Sequence, residues 1–366
     1  CEGQPAPTQM AEITDLNIKI LVDAGRPWEA AAAGRMLPSL ARLRWEGFEV
    51  NVAAVRGVDL DERDDDEDED EDERPFLGGP AKTALLSCIE GEGEPPLELL
   101  LAAVACAGSG EIRGIPVQMM RDDSVSELDL QKINIGVEGG MLLAHLVPVM
   151  GRLTVANLLG NQLDAESAKI LAEVAKQKGI SLCGIQRDQT TADLSGHALQ
   201  PPDAILLASD LSQAVVTGAL TRVDVRNNNI VGDGAAQLAA TVLGNLKIEM
   251  FNEIPIKEMR ANSLTELDLK GKGVGVEGGM VVAGLIPVMG GLTALNLSYN
   301  DLADEGVSAV CKAIQSNKET KLASLDLKYN GIGPGGANAV AAMVAVTGAL
   351  TQVPHSAPEK LPFLLL

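Results

Sequence analysis

The sequence predicts an α/β solenoid, a stack of short strand–turn–helix units, and three observations carry that prediction. A long stretch recurs without a gap: residues 115–163 align with 254–302 at an offset of 139, with 27 of 49 positions identical. IPVQMMRDDSVSELDL matches IPIKEMRANSLTELDL, and GVEGGMLLAHLVPVMGRLT matches GVEGGMVVAGLIPVMGGLT. A shorter pattern, L-x-x-L-x-L-x-x-N-x-L, recurs along the C-terminal two thirds, commonly 28 or 30 residues apart. Each copy is followed by an Ala-, Leu- and Val-rich stretch with helical apolar spacing, such as Val307, Val310, Ile314 or Ala337, Val340, Met343.

The copies can be read in order. Val125, Leu128, Leu130 and Ile135 open the series, with Ile133 in the Asn slot. Leu153, Ala156, Leu158, Asn161, Leu163 follow the pattern throughout. Ala192, Leu194 and Leu199 form a degenerate copy with His197 in the slot. Leu220, Val223, Val225, Asn228, Ile230 fit fully. Leu264, Leu267, Leu269, Val274 carry Lys272 in the slot. Leu292, Leu295, Leu297, Asn300, Leu302 and Leu322, Leu325, Leu327, Asn330, Ile332 are complete, and Leu350 with Val353 starts a truncated copy. Two intervals are longer; they hold SLCGIQRDQTT and LKIEMFNEIPIKEMRAN. One unit cannot bury its own Leu face, so neighbours must stack. The slot Asn can satisfy backbone groups as strand turns into helix. Turns with Ile133, His197 or Lys272 are expected to differ locally.

Over roughly 120–355 the pattern resembles leucine-rich repeats of the ribonuclease-inhibitor type. The resemblance implies a horseshoe, with a parallel sheet on the concave face and helices on the convex one. It also implies protein recognition. The same family includes the sensor regions of NOD-like receptors, ribonuclease inhibitor and the activator of the Ran GTPase. No nucleotide-binding module of a complete NOD-like receptor is visible, and the Cys and aromatic richness of ribonuclease inhibitor is missing.

The N-terminal part reads as a helical region. LPSLARLRWEGFEVNV at 37–52 resembles the end of an ankyrin repeat, with Thr83-Ala84-Leu85-Leu86 and LELLLAAVACAG at 97–108 resembling the next. The implied organisation is 1–58 helical and ankyrin-like, 59–80 an acidic insertion, 81–110 helical and ankyrin-like, and 111–366 the repeat domain. Trp28 and Trp45 are expected in the core.

Charge narrows the function. The 366 residues carry 51 acidic and 29 basic side chains, a net of −22. Asp59–Arg74 alone holds 13 acids and two arginines. Nucleic-acid binding is disfavoured, because phosphate contacts need clustered Lys and Arg. The acidic run is either a solvated, disordered block or a seat for a basic segment; it lacks EF-hand spacing. No apolar stretch reaches the roughly 20 residues of a membrane helix, and no signal peptide is visible. The chain starts at Cys1, which reads as a fragment or a processed product. Five scattered cysteines without a CxxC suggest neither a disulfide framework nor a zinc site, and a reducing, cytoplasmic setting.

Catalytic signals are weak. Gly273–Gly278 spells GxGxxG, but the equivalent turn NIGVEG lacks the first Gly, so turn residues are the simpler reading. His145, His197 and His355 form no nucleophile–base set, and His145 reads as a surface or packing residue. The expectation is a non-enzymatic module with neither cofactor nor metal.

The strand pattern marks a binding surface. The residue between the two central apolar positions is Asp129, Asn157, Asp193, Asp224, Asp268, Asn296, Asp326. Two residues on, the series is Gln131, Leu159, Ser195, Arg226, Lys270, Ser298, Lys328. In a strand both rows point away from the core. They form either a polar strip for a partner protein or charges that compensate between strands. Tyr299 and Tyr329, the only tyrosines, precede the slot Asn in adjacent copies and should sit side by side. They either anchor a partner or pack on each other to seal the array. The partner-binding candidates are Tyr299, Tyr329, Asp326, Lys328, Asp268, Lys270, Asp224 and Arg226. The alternative function is a GTPase-activator-like or scaffold role on a partner enzyme.

Overall fold

The computed structural model describes residues 15–17, 29–37, 39–60, 76–317 and 320–347. The acidic run beyond Leu60, the truncated copy at Leu350, Trp28, His355 and Cys1 lie outside them. The chain divides into two compact units, 1–184 and 185–366.

In the first unit, β1 (Asp15–Asn17), β2 (Arg42–Trp45), β3 (Phe48–Asn51) and β4 (Ile89–Glu90) form a sheet in that order. β1 and β2 are parallel, while β2–β3 and β3–β4 are antiparallel. The helix that an ankyrin-like repeat would place over 37–45 is therefore replaced by a strand. Alternation explains it: Leu43 and Val50 face each other in the core, while Arg42, Arg44 and Glu49 pair on the outer side. Glu46 and Gly47, both with positive φ, make the tight hairpin turn. Trp45 is half-buried rather than central. Helices in this region run over Glu29–Met36, Val52–Val55, Gly79–Ser87 and Leu97–Ala107. In the last, Leu99–Ala107 are buried without interruption. It packs so closely on Glu29–Met36 that Gly34 leaves no room for a side chain against the Cys106 backbone.

Two repeats follow in the same unit. β5 (Glu127–Asp129) pairs in parallel with β6 (Val155–Asn157), and the helices Gly136–Leu146 and Ala165–Lys178 cover them. The first long interval is not a plain insertion. Ser181 bridges Val155 and Cys183 bridges Asn157, so it extends the ladder. His145 is buried on its helix, which decides for packing.

In the second unit, β7 (Thr191–Asp193), β8 (Arg222–Asp224) and β9 (Met250–Phe251) form one parallel ladder. β10 (Glu266–Asp268), β11 (Ala294–Asn296) and β12 (Ser324–Asp326) form another. β9 comes from the second long interval, where the short pattern is hidden because Glu253 stands at the apolar position that Val225 fills in the preceding copy. Register is as the pattern requires: Leu267 faces Leu295, Leu295 faces Leu325, and Asp268, Asn296 and Asp326 line up. Leu267, Leu269, Leu295, Leu297, Leu325 and Leu327 are all buried. Each contributes about 2 kcal/mol by leaving water. The helices Gly232–Gly244, Gly275–Leu285, Ala303–Ser316 and Pro334–Val344 stack in sequence. Val307, Val310 and Ile314 face the core completely.

Candidate functional site

The turns after the strands position the surface, so their chemistry comes first. Asn300 is buried; its Nδ2 donates to the Leu269 carbonyl at 2.8 Å and the Ser298 carbonyl at 3.2 Å. Its Oδ1 accepts from Val274 N–H at 3.2 Å. Asn330 donates to Leu297 and Leu327 carbonyls and accepts from Asn300 and Leu302 N–H groups. Asn161 and Asn228 do the same for their neighbours. Each slot Asn thus ties its own turn to the preceding repeat. Where Lys272 occupies the slot, Asn252 helps to bridge the junction. It is fully buried, accepts from Val225 N–H at 2.8 Å, and donates to Val274 O and to Glu277 Oε1 at 2.8 Å.

The residue before the slot has positive φ in every copy: Lys132, Gly160, Gly196, Asn227, Gly271, Tyr299 and Tyr329. Gly and Asn accept this conformation readily; a bulky aromatic does not. Tyr299 and Tyr329 adopt it with φ of 61° and 55°. Both remain 48% and 56% exposed. Their rings stack, with centroids 4.3 Å apart and planes 22° apart. Lys270 Nζ lies 5.6 Å from the Tyr299 centroid. Desolvation beside the stack, a hydrogen bond with Tyr329 and the Asp326 carboxylate push the Tyr299 phenol up. Strained, exposed aromatics of this kind are found where a surface is used.

The Asp/Asn row has a local duty that the sequence reading did not anticipate. In all seven copies a side-chain oxygen accepts from the backbone N–H two residues on: Gln131, Leu159, Ser195, Arg226, Lys270, Ser298 and Lys328. The row finishes each strand with a side-chain turn. Compensation between neighbouring strands is not its main role. Asp224 pairs within its own repeat, with Arg226 Nη2 at 2.6 Å, and this hydrogen bond pushes the guanidinium up. Asp193 is held low chiefly by the Ser195 hydroxyl at 2.7 Å.

The eight sequence-predicted residues fall into two groups. Lys270, Tyr299, Tyr329 and Asp326 come together; Lys328 and Asp268 flank them in the same ladder. Asp224 and Arg226 belong to a second cluster with Glu253, which also pairs with Lys272. Glu253 was missed because it lies in the second long interval. Arg260 was also missed: its guanidinium donates to the Val242, Leu243, Asn245 and Ile248 carbonyls and closes the end of the helix Gly232–Gly244. Its presence in both long copies, as Arg121 and Arg260, was the available signal.

Reactive chemistry is sparse. Cys88, Cys106, Cys183 and Cys311 are buried, and burial pushes the Cys106 and Cys311 thiols up to about 12. Among the described residues no cluster of His, Cys, Asp and Glu could hold a metal, and no helix is long and apolar enough to cross a membrane. Gly273 and Gly275 have positive φ and serve the turn into the helix.

Sequence comparison agrees with the repeat geometry. The family model described as Leucine Rich repeat matches residues 292–311 and 318–341. Human Protein NLRC5 is 25% identical over 221 residues, covering 52% of this chain and 11% of that protein. The chain therefore spans about a tenth of that relative's length. An internalin from Listeria monocytogenes overlaps 72% of this chain and 94% of its own at 10% identity, with a TM-score of 0.19, too low to carry an argument. The chain carries leucine-rich repeats, and each of its two units contains parallel strand–turn–helix ladders of the α/β solenoid kind. Its repeats are similar to those of the NOD-like-receptor and ribonuclease-inhibitor type.

Proposed function

We propose that the module binds a partner protein on the strand-bearing, concave face of the second unit, without catalysis of its own. The observation that carries this reading is the stacked, exposed pair Tyr299 and Tyr329, held at a backbone position where an aromatic ring is disfavoured. Lys270, Asp268, Asp326 and Lys328 supply the polar surround, with Asp224 and Arg226 further along the strands. Aromatic anchors with a polar rim are the usual energetic centre of an interface. A cytoplasmic setting and a basic segment at the acidic run belong to the same proposal.

The test is affinity capture with the full chain and with the Tyr299→Ala/Tyr329→Ala variant. The variant should lose its partner while its melting temperature changes by no more than about 3 °C. A partner retained, or a variant that unfolds, counts against the reading and favours ring packing as the sole role. The second reading, a regulator of a partner GTPase, rests on the family resemblance alone. A panel of small GTPases assayed with and without the protein tests it; no acceleration eliminates it.

A further inference from the structure

We infer that the outer face of Tyr329 receives an arginine guanidinium from the partner; this rests on the proposed interaction surface and names its chemistry. The second ladder builds a pile along the strand order β10–β11–β12. Lys270 comes from the repeat before Tyr299 and lies over its ring at 5.6 Å. Tyr329 comes from the repeat after it and covers the ring at 4.3 Å. Tyr299 is thus flanked from both neighbouring repeats. Among the described residues Tyr329 is covered from one, and β12 is the last strand of this ladder. Its ring is the more exposed of the two, at 56%.

Three features select a cation for that face. The pile already holds one, since the Lys270 ammonium sits over Tyr299, and an aromatic quadrupole draws positive charge to its face. Asp326, whose charge reaches the Tyr299 phenol, adds negative potential beside the rings. The chain as a whole carries −22, which steers basic partners towards it. A guanidinium suits the position better than a second ammonium. It is planar, stacks on a ring, and keeps its edge donors for carboxylates such as Asp326.

The chain's two tyrosines make a direct test simple. Selective ring labelling of the full protein yields signals from two residues only, assigned with Tyr329→Phe. The probes are the peptides acetyl-GRGRG-amide, its citrulline counterpart, neutral but of the same shape, and acetyl-GFGFG-amide. The arginine peptide should shift the Tyr329 ring saturably, Tyr299 less, and bind there roughly five-fold more tightly than the citrulline peptide. An unmoved Tyr329 ring while the peptide binds elsewhere overturns the inference. So does a phenylalanine peptide that moves the ring at lower concentration than the arginine one. If the ring ignores arginine but Tyr329→Ala still abolishes partner capture, the interaction surface stands and the cation assignment alone falls. If neither responds, both fall.

Discussion

The two long copies, 115–163 and 254–302, fold into the same succession of elements and end up with different surfaces. Each runs through a five-residue helix, a strand, an eleven-residue helix, a short 3-10 turn and a second strand. Their differences are paired. In the first copy Lys132 lies across the position where Gly160 would place a side chain, 2.8 Å from its Cγ. In the second copy the same two positions are Gly271 and Tyr299. The lysine has gone where the tyrosine has come. A further pair lies just outside. Arg113 and Asn252 occupy equivalent positions, and Glu138 and Glu277 do too. Asn252 draws Glu277 inward, whereas Glu138 stays half-buried. A conserved frame thus permits surface substitutions only in compensating sets.

The largest expected effect tests the frame itself. Asn300→Ala leaves two buried carbonyls short of a donor and Val274 N–H short of an acceptor. Unfolding free energy in urea should fall by about 3–5 kcal/mol. Asn161→Ala, in the other copy, should cost a similar amount. Unequal losses would show that the two frames are not equivalent.

Next comes the pair Glu277 and Glu138. Burial pushes the Glu277 carboxyl up to about 7. The folded state therefore holds a proton that the unfolded chain, with an ordinary carboxyl near 4.5, releases first. The stability contributed by the neutral form is complete below pH 4.5 and is lost as pH rises to 7. Glu277→Gln should remove that slope and be more stable than wild type at pH 8, by up to about 3 kcal/mol, with no gain at pH 4. Glu138→Gln, at the half-buried equivalent position, should change stability by no more than about 0.5 kcal/mol. A slope that survives in Glu277→Gln would contradict the buried-carboxyl account.

Arg260→Met removes the donor to four carbonyls and should cost about 2 kcal/mol. Arg121→Met, whose side chain donates to the Gly108 carbonyl at 2.6 Å, should cost less. The surface exchange comes last. Gly160→Tyr alone should destabilise by about 2 kcal/mol, through the clash with Lys132 and the positive φ. Adding Lys132→Gly should recover about half of this. Additive losses would sink the idea of compensating sets.

Much of this was legible in the sequence, for identifiable reasons. The apolar positions of L-x-x-L-x-L recur at one period, and the strands they predict pair in the expected register, Leu295 against Leu267 and Leu325. The adjacency of Tyr299 and Tyr329 followed from that register alone. What escaped lay where the pattern was interrupted. β9 was hidden because Glu253 stands where the pattern requires its next apolar residue. The β2–β3 hairpin was read as ankyrin-like helix and loop, because four-residue strands leave little periodicity. The Asp/Asn row was seen, but its duty to the next-but-one N–H depends on the turn at the strand end.

The sequence by itself determined the stack of units, the register between neighbours and the row on which each polar residue stands. A buried Leu face admits one alternation, and a one-residue slip would turn every leucine to water. The tertiary structure decided what those residues do once placed. It turned Asn252 inward, raised the proton affinity of Glu277, sent Arg226 to Asp224, and closed Tyr299 between Lys270 and Tyr329. Most of these outcomes depend on distances of a few ångströms between residues about 25–30 positions apart, and only the packed repeats set such distances.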